Sequence, residues 1–67
     1  MEISYPHKAI QIAEKHKEAN EKATECFNTA VLMNSLGFSA SAKMLALKCV
    51  YYAVGGSHPD FRLARRM

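Results

Sequence analysis

Between Pro6 and Leu36, small or apolar residues return every seven positions. They form two rows three residues apart, Ala9, His16, Ala23 and Ala30 in one and Ile12, Ala19, Cys26 and Met33 in the other. Two such rows make a stripe down one side of a helix, the pattern of a helix packed lengthwise on a partner. The charged residues Glu14, Lys15, Lys17, Glu18, Glu21, Lys22 and Glu25 are assigned to the other face. There Lys17–Glu21 and Glu18–Lys22 are one turn apart and would each contribute about a few tenths of a kcal/mol. No Gly or Pro interrupts the run. Pro6 suits a first helical position and Gly37 suits the residue that closes a helix, so the spacing predicts a first helix over residues 6–36.

From Ala42 to Val54 the pattern changes. Only Lys43 and Lys48 are charged, while Met44, Leu45, Leu47, Cys49, Val50, Tyr51, Tyr52 and Val54 reach most of the way around a helix. This predicts a second helix over 40–54, starting after Ser39 or Ser41 as N-cap and stopping at Gly55-Gly56. A helix apolar on nearly every side is buried on nearly every side, which one neighbouring helix cannot achieve. A short third element over 58–65 follows, capped by Ser57 or His58, with Pro59 at its first position and Asp60 near its positive end. Phe61 and Leu63 are available to fold back onto the end of the first helix, where Glu21 and Glu25 could pair with the arginines.

The short Gly37-Phe38-Ser39 connection favours adjacent antiparallel helices. The expected fold is all-α: a single domain over 1–67, built as an antiparallel helical hairpin with a short C-terminal helical turn. In that hairpin, residues 6–20 overhang the second helix by about 22 Å at 1.5 Å per residue. A second copy would cover both the overhang and the outer side of the second helix, so a homodimeric helical bundle is expected, with Ala9, Ile12, His16, Ala19, Ala23, Cys26, Ala30 and Met33 as its packing seam. A monomer would require the first helix to break near Asn20.

The length of 67 residues sharpens this, because so short a chain buries only about 60% of its unfolded surface. Its apolar content of 49% is too high for intrinsic disorder. No apolar run approaches the roughly twenty residues of a membrane span, and the N-terminus lacks a signal-peptide pattern, so a cytoplasmic protein without membrane contact is expected. The net charge of +3 is unevenly spread. Residues 1–25 carry four lysines against five glutamates, whereas residues 26–67 carry Lys43, Lys48, Arg62, Arg65 and Arg66 against Asp60 alone.

Candidate chemistry is sparse. Cys26 and Cys49 are far apart in sequence and form no metal-type pair, so two free thiols are expected. His7, His16 and His58 are the only histidines, and a zinc site needs three or four converging ligands. No cofactor, metal or catalytic residue is assigned. A helix-turn-helix around Gly37 is disfavoured because its second helix offers only Ser41, Lys43 and Lys48 to a groove. Ala30, Gly37 and Ala42 are spaced as the small residues of a tetratricopeptide-type hairpin are, without the closing Pro or a second repeat. Tyr51-Tyr52-Ala53 after a Gly-Phe turn resembles the core helix of HEPN-type domains, without that family's Arg…His ribonuclease motif. Neither resemblance implies an activity. The expected function is a small non-enzymatic protein-interaction or regulatory module, of the kind found among accessory proteins of phages and mobile elements, with an unidentified protein partner. The alternative is a dimeric nucleic-acid binder using Lys43, Lys48, Arg62, Arg65 and Arg66.

Overall fold

Residues 6–36 do not form one helix. In the computed structural model of the chain, which describes residues 8–66, the stretch is divided into α1 (Lys8–Glu14) and α2 (Glu21–Ser35), followed by α3 (Ser39–Val54) and α4 (Pro59–Arg66). Among the described residues every regular element is a helix. Pro6, expected to start the first helix, lies outside them, as does His7. A continuous helix over 6–36 would be roughly 46 Å long, whereas the longest extent of the fold is 29 Å.

The division has a local cause. The last turn of α1 tightens, with the Lys15 and His16 amides donating to the Ile12 and Ala13 carbonyls three residues back at 3.2 and 2.9 Å. Asn20 then takes an extended conformation (φ −164°, ψ 175°), and its Oδ1 accepts from the Ala23 amide at 2.9 Å. That is an N-cap in its preferred geometry, with Glu21 following at the positive helix end. The other end of the same side chain donates from Nδ2 to the Tyr52 carbonyl at 2.9 Å, tying the start of α2 to the end of α3. The Thr24 hydroxyl donates to the Lys17 carbonyl at 2.6 Å, which holds the connecting turn against α2.

The fold-back removes the expected overhang. α1 packs on α3, α4 and α2, and Ala9, Ile10, Ile12 and Ala13 are buried there. Of the expected seam, Ala9, Ile12, Ala23 and Ala30 are buried within the one chain, His16, Cys26 and Met33 are half-buried, and Ala19 is exposed in the turn. The heptad stripe is therefore bent at its centre and largely used inside the protomer. The Lys17–Glu21 and Glu18–Lys22 pairs do not form either, because residues 15–20 are not helical. The Lys17 ammonium sits over the Phe27 ring instead, 5.2 Å from its centroid.

α2 and α3 make the most extensive contact of the fold. The link between them is a Schellman turn: the Phe38 amide donates to the Met33 carbonyl at 2.9 Å and the Gly37 amide to the Asn34 carbonyl at 3.2 Å. Gly37 has φ +90°, a conformation that costs a residue with a Cβ and costs glycine little. α3 starts one residue earlier than expected, and neither Ser39 nor Ser41 caps it: Phe38 is its N-cap, without a side-chain bond. Among the described residues seven of the twelve in the buried core are alanines (Ala9, Ala13, Ala23, Ala30, Ala42, Ala46 and Ala64), and the largest fully buried side chains are Ile10, Val50 and Cys49. Such a core lets helices approach closely but leaves bulky side chains without a place inside.

Candidate interaction groove

α3 is apolar on two opposite sides, and side-chain size decides which is buried. Ala42, Ala46, Cys49 and Val50 face inward and are fully buried. Met44, Leu47, Lys48, Tyr51 and Tyr52, spaced i, i+3, i+4, i+7 and i+8, form the other face. Of these Met44 is 60% exposed, Tyr51 53% and Tyr52 45%. Full burial on both sides was the sequence expectation, and the outer side departs from it.

This outer face is the floor of a groove. Its far wall is Phe61 of α4, and the six residues enclose an open volume of about 360 Å³. The aromatic rings brace one another: Tyr51 meets Phe61 at 5.8 Å and 62° and Tyr52 at 5.9 Å and 76°. Such edge-to-face pairs are favourable arrangements of the ring quadrupoles, so the groove floor is pre-shaped. Phe61 was expected on the end of the first helix; its ring partner is Tyr51 of α3. Gly56 borders these rings, and a Cβ there would meet the Tyr51 ring at 3.5 Å, an ordinary van der Waals contact.

Lys48 is exposed and, among the described residues, is the one charged residue lining the groove. Among the described residues no carboxylate lies within ion-pair distance of Lys43, Lys48, Arg62, Arg65 or Arg66, so the expected pairing of the arginines with Glu21 or Glu25 does not form. Arg65 and Arg66 occupy the last turn of α4 and Asp60 its first, each at the helix end where its charge is favourable. Lys43 is half-buried, and the three arginines are exposed.

A polar cluster sits where the α1–α2 turn meets α4. His16 Nε2 is 2.7 Å from Asp60 Oδ2, and since an ionised carboxylate only accepts, the imidazole donates. His58 Nδ1 accepts from the Asp60 amide at 3.0 Å, capping α4, and its ring meets His16 edge-on at 5.6 Å. The hydrogen bond from His16 is the main force holding the Asp60 carboxyl below its ordinary value, with the His16, His58 and Lys15 charges acting the same way against desolvation. Among the described residues no group of three or more His, Cys, Asp or Glu is disposed to hold a metal ion. Cys26 and Cys49 are free thiols. Cys49 is fully buried, its Sγ 3.7 Å from the Ala13 carbonyl, and burial, helped by Cys26, pushes its thiol up to about 11.

No helix among the described residues is long and apolar enough to cross a membrane. No protein-family model, curated protein or solved structure matches the chain.

Proposed function

We propose that the protein is a non-enzymatic interaction module whose α3–α4 groove receives a helix of a partner protein. The observation that carries this reading is the outward face of α3, where Met44, Tyr51 and Tyr52 are each close to half exposed or more beside Phe61. An open apolar groove receives the i, i+3, i+4 and i+7 side chains of an amphipathic partner helix, and Tyr and Met are enriched at such surfaces. The groove volume suits two or three apolar side chains, not a small-molecule site enclosed on all sides. The alternative of a nucleic-acid binder draws support only from the unpaired cations Lys43, Lys48, Arg62, Arg65 and Arg66. Homodimerisation loses one of its two motives, because the fold-back of α1 removes the overhang; the other, the uncovered outer side of α3, is the groove itself.

Selection of a displayed helical-peptide library against the full chain tests the reading. Enriched peptides should share an i, i+3 or i+4, i+7 apolar pattern and should fail to bind the Tyr52→Asp variant. Failure to enrich any pattern, or binding indifferent to the substitution, would defeat it.

A further inference from the structure

We infer that the helix received by this groove is acidic, with a carboxylate that meets Lys48 between Leu47 and the two tyrosines. This rests on the groove reading and adds the charge of the occupant.

Lys48 lies on the groove floor, among Met44, Leu47, Tyr51, Tyr52 and Phe61. While the groove is open, water solvates the ammonium. Any occupant that covers those apolar neighbours also strips that water, and a desolvated charge is costly unless it is paired and hydrogen-bonded. Among the described residues the chain supplies no partner of its own. α3 contains no Asp or Glu, and the single acid of α4, Asp60, is engaged by His16. The occupant must therefore bring the counter-charge. The tyrosine hydroxyls make no hydrogen bond among the described residues and can donate to the same carboxylate.

The same accounting disfavours a second copy seated face to face on the groove. Two-fold symmetry would bring two copies of an acid-free α3 together and leave each Lys48 covered without a counter-charge, and an unpaired desolvated charge opposes association. A single nucleic-acid strand could neutralise Lys48, but Tyr51 is braced edge-on by Tyr52 and Phe61. Bases stack best on open, parallel ring faces. Met44 and Leu47 add aliphatic surface that suits Leu or Ile side chains.

The test uses two fluorescein-labelled peptides of about 18 residues, enough to form a marginal helix in water. One carries Leu at i, i+3, i+4 and i+7 with Glu at the flanking positions, and its twin carries Lys for each Glu. Anisotropy titrations with the full chain should show the Glu peptide binding roughly tenfold or more tighter than the Lys peptide. Lys48→Glu, at an exposed position and with its fold checked by circular dichroism, should reverse that order. Added salt should narrow the difference. Equal binding of the two peptides would overturn the acidic occupant and leave the groove reading standing. No binding of either would overturn both. Binding of a single-stranded oligonucleotide that Tyr52→Ala abolishes, or a dimer in sedimentation that Tyr52→Glu dissociates, would replace the acidic helix with nucleic acid or with a second copy.

Discussion

His16 Nε2 and Asp60 Oδ2 are 2.7 Å apart, joining the turn after α1 to the first turn of α4 across 44 positions of sequence. Asp60 accepts the His16 hydrogen bond on its side chain and donates its own amide N–H to His58 Nδ1. One residue thus fastens the fold-back of α1 and takes part in the cap of α4.

The first prediction concerns acid. Because the Asp60 carboxyl is held below its ordinary value of 3.8, chiefly by the His16 hydrogen bond, the folded state binds its proton more weakly than the unfolded chain does. Its stabilisation is complete above the ordinary value and is lost as pH falls through the lower folded one. Asp60→Asn should be less stable than the parent near neutrality and should converge with it as pH falls below the ordinary value of 3.8. Thermal unfolding followed by circular dichroism reads both. A constant gap between parent and variant as pH falls would mean the carboxylate contributes nothing.

Asn20 should matter more than its exposure suggests. Its side chain closes the N-terminus of α2 and also reaches the Tyr52 carbonyl. Asn20→Ala removes both bonds and should cost about 1–2 kcal/mol, measured by denaturant unfolding. A loss under about 0.5 kcal/mol, the range of ordinary surface substitutions, would show that packing of α1 sets the break without the cap.

Parts of this fold were legible because local chemistry sets them. Gly37 closes α2 through a positive φ, Gly55 does the same for α3, and Pro59 opens α4. The break between α1 and α2 was harder to see. A heptad stripe of alanines satisfies either a straight helix on a long partner or two short helices folded on a near one. The cue that separates them is one residue: Asn20 followed by Glu21 has the chemistry of an N-cap. His16 was placed on the packing stripe, but its partner Asp60 is invisible to any local pattern. The groove was half legible. The sequence marks α3 as apolar all round, and only the packing reveals that the alanine side goes in while Met44, Tyr51 and Tyr52 stay out.

Ala19 and Ala23 separate the bent stripe from the straight one. Ala23 is fully buried in α2, whereas Ala19 is exposed in the turn. Ala23→Leu should overpack the interior and cost about 1–3 kcal/mol. Ala19→Leu should stay within about 0.5 kcal/mol of the parent. A straight seam would make both substitutions expensive, so similar melting losses for the two variants would argue against the break.

Cys26 and Cys49 should differ sharply in reactivity, since the thiolate is the reacting species. Cys49 is fully buried with its thiol pushed up to about 11, while Cys26 is half-buried. Iodoacetamide at mildly alkaline pH should label Cys26 in the native protein and reach Cys49 only through unfolding, which mass spectrometry of the digested chain distinguishes. The same burial sets an alkaline limit. From the ordinary thiol value of 9.0 upward the unfolded chain loses the Cys49 proton first, so stability falls with rising pH until the folded value is passed. Roughly 1–3 kcal/mol should disappear over that interval. Cys49→Ala lacks the titrating group, and its alkaline loss should be smaller than the parent's by about that amount. Equal labelling of the two cysteines in the folded protein, or parallel alkaline curves for parent and variant, would place Cys49 in contact with solvent and contradict the tight contact of α1 with α3 around Ala13.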